Sequence, residues 1–347
     1  MGRLHRLTEQ GFIDLVTSLA GGTRPSRGPR FRPVLGIGDD AAILPSLGRL
    51  QTLLTTDFLA EGVHFRTAWS PGFLLGRKAL AVNLSDIAAM GGVPRACVMS
   101  AGFPARIPPG YARDVARGFA DRARRHGVDL VGGDTGRARS LFLNVALLGA
   151  VEPGRAVRRS GARAGDGLYV TGALGASAAG LRLLGRGVRA GAGRTRGAFA
   201  PALRAHLDPE PRVVAGRLLG LTGLAAAMID LSDGLWHDLP RLCAASGTGA
   251  VVEEAAVPVS PAAHAVLGRA GARRAAIVGG EDYELLFAAR SGLEAQVAHL
   301  ARRIRLPMSR IGQIVPRRRG VRLLTRSGRY VPFADLAGGF RHFPADA

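Results

Sequence analysis

At 347 residues the chain exceeds what one ordinary hydrophobic core holds, and two domains are expected. An apolar content of 47% with 49 glycines and 5% aromatics argues against a disordered or fibrous chain and fits an α/β protein rich in tight turns. The net charge of +21 suggests nucleic acid, yet Lys78 stands alone among 46 arginines, which are scattered and not interleaved with aromatic stacking platforms, so no specific nucleic-acid partner is expected.

"MGRLHRLTEQ" lacks the apolar core of a signal peptide, and no apolar run is long enough to span a bilayer, so no membrane partner is expected. Cys97 and Cys243 are far apart and not in metal-type spacing, which reads as reduced thiols in a cytoplasmic protein. Residues 7–20 have a Thr8 cap signal and helical apolar spacing, and a Gly/Pro/Arg loop follows over 21–33. Two short strands, "VLGIG" (34–38) and "QTLLTTD" (51–57), bracket the pair Asp39 and Asp40. Residues 70–92 read as a strong helix with Ser70 as cap and Pro71 at its first position. A strand (95–102), a helix (111–126) and strands over 128–132 and 141–149 complete the first half. The polar, glycine-rich stretch 152–167 marks a boundary, giving domains over 1–151 and 152–347. The second half alternates again: strand 168–171, helices 175–185 and 209–221, strand 226–230, helix 234–245, a strand near 250–253 and a helix near 261–270. The Ala/Gly/Arg-rich segment 185–208 is expected to be a surface loop. This pattern predicts an α/β (α+β) fold.

Of 26 acidic residues, eleven fall in six short motifs: "GIGDDAAIL", "TTDFLAEGVHF", "NLSDIAAMGG", "VGGDTGR", "MIDLSDGL" and "GGEDYELLF". Each sets carboxylates after an apolar run or among small residues, where solubilising charge is not expected. Burying such groups is costly unless a cation compensates. Hard oxygen donors without His/Cys spacing point to Mg²⁺ rather than zinc, and Mg²⁺ usually bridges carboxylates to a polyphosphate substrate. Neither a Walker A lysine motif nor a kinase-type glycine loop is present. Blander roles compete at single positions. Asp39 could cap a turn, Asp86 could be a helix-surface charge, Asp233 could cap the helix beginning at Gly234, and Lys78 reads as an exposed structural residue. His64 and Phe340 could simply pack, and Glu281 could be an ordinary loop carboxylate.

Taken together, in order from about Leu35 to Phe343, these motifs resemble the thiamine-monophosphate kinase family of the aminoimidazole ribotide synthase-related superfamily. The resemblance implies a homodimer of two-domain chains, the N-terminal domains (1–151) forming the dimer sheet or barrel and binding ATP and magnesium, with a C-terminal α/β domain over 152–347. It implies ATP-dependent phosphorylation of thiamine monophosphate by direct in-line transfer. Asp39, Asp40, Thr55, Thr56, Asp57, Asp86, Asp134, Asp230 and Asp233 match metal positions, and Asp57, Asp86, Asp134 and Asp233 are the implied catalytic set. Gly133, Asp134, Arg159 and Ser232 match nucleotide contacts, and His64, Glu281 and Phe340 match contacts to the thiamine substrate. Gly136 departs from the family's usual "GGDTT", and 185–208 has no strong family pattern. The competing readings are another ATP-using member of the superfamily and a non-catalytic arginine-rich binding protein.

Overall fold

The computed structural model describes residues 34–35, 38–44, 49–190 and 199–336. The expected helix at 7–20, the loop at 21–33 and Phe340 lie outside the described residues.

Two sheets organise the chain. The first runs in the order β1-β2-β5-β3-β4 and comprises β1 (Ala42–Leu44), β2 (Gln51–Ala60), β3 (Val93–Phe103), β4 (Asp129–Arg137) and β5 (Phe142–Val151). Neighbours pair antiparallel except β3 and β4, which are parallel and joined by helix α2 (Pro109–His126) in a βαβ unit. The second sheet has seven strands in the order β12-β11-β8-β10-β6-β9-β7. They are β6 (Gly167–Thr171), β7 (Ala227–Asp230), β8 (Thr248–Glu253), β9 (Leu285–Ala289), β10 (Met308–Pro316), β11 (Val321–Leu324) and β12 (Tyr330–Pro332). Helices α3 (Ala176–Gly185), α4 (Phe199–Leu207), α5 (Val213–Thr222), α6 (Leu235–Ser246), α7 (Pro261–Val278) and α8 (Glu294–Ile304) accompany it.

Helix α1 (Gly72–Ala89) links the two layers. Fifteen of its eighteen residues are buried, so its polar residues have no solvent face and must find partners inside. Leu75, Leu80, Leu84 and Ile87 pack under the first sheet, while Ala88 and Ala89 join the cluster formed by α5, α8 and the second sheet.

Several expectations are corrected. Among the described residues the first strand forms after the aspartate pair, at Ala42–Leu44, and of "VLGIG" Leu35 makes an isolated bridge to Ile43, while residues 36–37 lie outside the described residues. Pro71, not Ser70, occupies the α1 cap position, with no side-chain cap bond. The strand expected at 128–132 runs on to Arg137, and the helix expected at 209–221 starts only at Val213, after "DPEP". Helix α7 continues to Val278 across a break at Gly268 (φ 69°, ψ 176°). The segment 185–208 is not simply a surface loop: residues 199–207 form α4, which buries Ala202, Leu203 and Leu207 against α3 and α7.

Candidate active site

One cavity of about 1080 Å³ lies between the two sheets, and α1 supplies its floor. Four polar residues of that helix each hold one part of it. Asn83 accepts the Asp57 N–H on β2 (3.0 Å), Ser85 donates to Asp230 Oδ2 at the end of β7 (2.5 Å), Asp86 accepts from the Thr55 hydroxyl, and Lys78 pairs with Glu281.

Asp40, Asp86 and Asp230 meet with one carboxylate oxygen each inside a 4.8 Å sphere. Asp40 and Asp230 are buried, and Asp40 Oδ2 is enclosed with no hydrogen-bond partner among the described residues. Its other oxygen takes the Arg159 guanidinium at 2.6 Å. Burial, then repulsion from Asp57, Asp230 and Asp40, drives the Asp86 carboxyl well above the ordinary range. Burial and the neighbouring Asp40 push Asp230 up to about 8. Three carboxylates this close, reluctant to ionise together, one of them with an oxygen that no described residue engages, are suited to a hard divalent cation. The donor set therefore fits magnesium.

Asp39 is placed differently from Asp40. Its carboxylate accepts the backbone N–H of Asp40 (3.0 Å) and of Arg159 (3.0 Å), the turn-holding role weighed against metal binding. Burial and the Asp40 charge raise it to about 6. Thr55, Thr56 and Asp57 follow on β2 and line the same cavity, with Ser232 and Asp233 after β7. Asp233 does not cap α6. Gly234 holds the cap position, and the buried Asp238 accepts both the Asp233 and the Gly234 N–H at 3.0 Å. Asp233 instead takes Arg241 at 2.8 Å and His237 at 3.1 Å.

His64 Nδ1 accepts the Ala60 N–H (3.1 Å), so in the neutral ring the proton sits on Nε2. Its ring stands edge-on to Phe58. Glu281 also lines the cavity and has a left-handed backbone (φ 64°). Lys78, expected to be exposed, is 2% exposed; its ammonium lies 2.8 Å from Glu281 Oε1, while His206 Nδ1 on α4 lies 3.1 Å from Oε2. Those two partners outweigh burial and hold Glu281 below the usual carboxylate range. The close approach that shapes this corner needs glycine: a Cβ on Gly234 (φ 100°) would stand 2.5 Å from the Gly279 carbonyl oxygen.

Gly133 and Asp134 are not brought to this cavity. They lie on β4, an edge strand exposed along its whole length. Cross-strand register runs Phe58–Asn144–Ser100–Asp134, three strand spacings or about 14 Å. Gly133 has a packing reason of its own, since a Cβ there would meet the Met99 carbonyl oxygen at 2.0 Å.

Sequence reasoning missed Asn83, Ser85, Asp238 and Tyr283 as well as His206. Tyr283 (φ 50°) is buried beside the site, and burial, then the charges of Glu281, Asp57, Asp230 and Asp233, raise its phenol strongly. Asn83 and Ser85 were legible in principle, as polar residues in the predominantly apolar run between Ala79 and Ala89.

Both halves of the chain match family models of the AIR synthase related proteins, the N-terminal domain over residues 38–151 and the C-terminal domain over 163–324. Thiamine-monophosphate kinase of Escherichia coli (strain K12) is 38% identical over 293 residues, covering 83% of this chain and 86% of the relative. The crystal structure of thiamine-monophosphate kinase from Stenotrophomonas maltophilia K279a superposes with a TM-score of 0.76 at 36% identity, over 94% of this chain and 98% of that one. AaThiL complexed with AMPPCP and TMP gives a TM-score of 0.81 at 30% identity, over 99% of both chains. The chain belongs to the AIR synthase-related family and, within it, to the thiamine-monophosphate kinases.

Proposed function

We propose that this chain transfers the γ-phosphoryl group of ATP to thiamine monophosphate, giving thiamine diphosphate and ADP. The carrying observation is the carboxylate trio Asp40, Asp86 and Asp230, whose oxygens lie within 4.8 Å of one another, in a cavity shared with His64 and Glu281. The kinase names of the relatives and the ATP-analogue complex of a structural neighbour support the reading.

The acceptor is a phosphate monoester with a second pKa near ~6, so it is already largely dianionic at neutral pH and needs no general base. An acceptor oxygen forms a bond to the γ-phosphorus while the bond from that phosphorus to the β–γ bridging oxygen breaks, and ADP leaves. Asp40, Asp86 and Asp230, with Asp57 and the Thr55 and Thr56 oxygens beside them, would hold magnesium; Asp39 and Asp233 stand next to the set. Bound there, Mg²⁺ supplies neutralisation of two approaching polyanions and alignment of their oxygens. Arg159 contributes a fixed positive charge beside Asp40, and Ser232, which lines the same cavity, would contact the nucleotide. His64 offers an Nε2–H on the acceptor side. The ATP requirement and two buried free thiols fit a cytoplasmic enzyme.

We further propose the homodimer and the division at 151/152. The outer face of the first sheet exposes Leu54, Phe58, Val98, Phe142 and Leu148. A second copy laid on that face would cover them and carry the partner's Asp134 toward the cavity. Asp134 and Gly133 would thus reach ATP and metal across the interface.

The test is a product assay with purified protein, ATP, Mg²⁺ and thiamine monophosphate, separating products chromatographically, with free thiamine as competing acceptor. Thiamine diphosphate from the monophosphate alone, lost in Asp57→Asn, is the expected result. No product from folded protein overturns the reading.

A further inference from the structure

In a chain that uses arginine at 46 of its 47 basic positions, the single lysine is nearly the least exposed cation, at 2%. Its ammonium meets Glu281 Oε1 at 2.8 Å. The other carboxylate oxygen meets His206 Nδ1 at 3.1 Å, and that same nitrogen lies 3.0 Å from Ser177 Oγ. The Glu281 N–H donates to the Ser232 carbonyl at 2.7 Å. Residues of two helices thus meet the two oxygens of a single carboxylate, and Ser177 of a third helix touches one of those residues, His206. The Glu281 backbone is held at φ 64°, a conformation that costs a non-glycine residue on the order of 1 kcal/mol. Such strain persists only where the surroundings over-determine it, and it clusters at binding sites.

This carboxylate differs from the magnesium-type group. Both of its oxygens are engaged and its charge is compensated by one ammonium, so it has no call for a metal ion. It still lines the cavity, beside the apolar surfaces of Ala178, Ala275 and Val278. A flat amino-substituted heterocycle fits such a wall, and a carboxylate locked in the ionised form is an acceptor for its N–H groups.

We propose that Lys78 and His206 are positioning residues that fix the direction of the Glu281 carboxylate, and so set affinity for the heterocycle of the phosphoryl acceptor. The proposal rests on the kinase reading above. An ammonium is a compact donor, whereas a guanidinium is a broad planar fork, and at a site this closed the two are not interchangeable. His206 sits on α4, in the segment with no strong family pattern.

The experiment is steady-state kinetics with each substrate varied in turn, for wild type, Lys78→Arg, His206→Asn and each of these combined with Glu281→Gln. Either single variant should raise KM for thiamine monophosphate about tenfold, the size of one misaligned hydrogen bond to a charged group, with kcat and the ATP KM within about threefold. In the Glu281→Gln background the same changes should add less than about threefold, because the group they position is gone. An unchanged acceptor KM, equal effects on both substrates, or undiminished effects beside Glu281→Gln would overturn the proposal. Thermal melts verify folding, and if Lys78→Arg does not fold, His206→Asn decides alone. A wild-type protein inert toward thiamine monophosphate sinks the kinase reading instead, which separates the two failures.

Discussion

The cavity has carboxylates at two places, and they are in opposite states. Around Asp86, negative groups crowd one another, an oxygen is orphaned, and burial drives pKa values upward. At Glu281, a half-buried carboxylate of the same cavity is held ionised by an ammonium and hydrogen-bonded to an imidazole. The first arrangement gathers more carboxylates than its one guanidinium, Arg159, offsets, and the second is matched by an ammonium of the chain. Removing a charge from the first should therefore stabilise the metal-free fold, and removing one from the second should destabilise it.

The largest expected effect breaks the first arrangement. Asp86→Asn should lower kcat by on the order of 10³ while raising metal-free stability by about 1 kcal/mol, because it removes a repelled charge. Kinetics and chelator-treated melts measure the two, and a destabilised metal-free variant would contradict the repulsion. Lys78→Met should do the reverse to stability, costing about 1–2 kcal/mol by leaving a half-buried carboxylate without its ammonium. Denaturant melts read it directly. Next comes pH. Asp39, Asp230 and Asp282 (which accepts the Gly175 and Ser177 N–H groups) are raised to about 6, 8 and 7 from 3.8. Between pH ~4 and ~8 these carboxyls therefore keep protons in the folded chain that they release in the unfolded one, against a smaller opposite contribution from the lowered His126 and His206. Metal-free stability should then fall as pH rises through that window, by on the order of 1–2 kcal/mol, and Mg²⁺ should restore more of it at pH 8 than at pH 5. A metal-free melting temperature that climbs with pH would refute this. The smallest effect concerns Asp39: Asp39→Asn should cost activity less than about tenfold if its main task is holding the Asp40 and Arg159 amides.

Sequence alone made the carboxylate group legible because acid is scarce in this chain and was found where apolar neighbours made it conspicuous. The alternation of strands and helices was equally legible, since period and turn residues are local properties. Lys78 was not, for a definite reason. A helix buried on nearly every side has no polar face, so a charge in it cannot be assigned to solvent by spacing, yet that is the default reading. Helix α4 was hidden by its Ala/Gly/Arg composition, although Ala202, Leu203, His206 and Leu207 recur at i, i+1, i+4 and i+5. The separation of Asp134 from Asp57 depends on strand order, which no local pattern encodes.

Asp208, just past α4, receives both Arg77 Nε (2.7 Å) from α1 and the fully buried Arg122 (2.6 Å) from α2. Arg122 also bonds Glu210, and α5 sits so close to α1 that a Cβ on Gly216 would come within 2.0 Å of the Ala88 carbonyl oxygen. Two sequence domains stitched this tightly through shared ion pairs cannot lose order one after the other without stranding buried guanidinium groups. The heat-capacity trace should accordingly show a single cooperative endotherm for both halves, so that damage to either half is felt as loss of the whole enzyme.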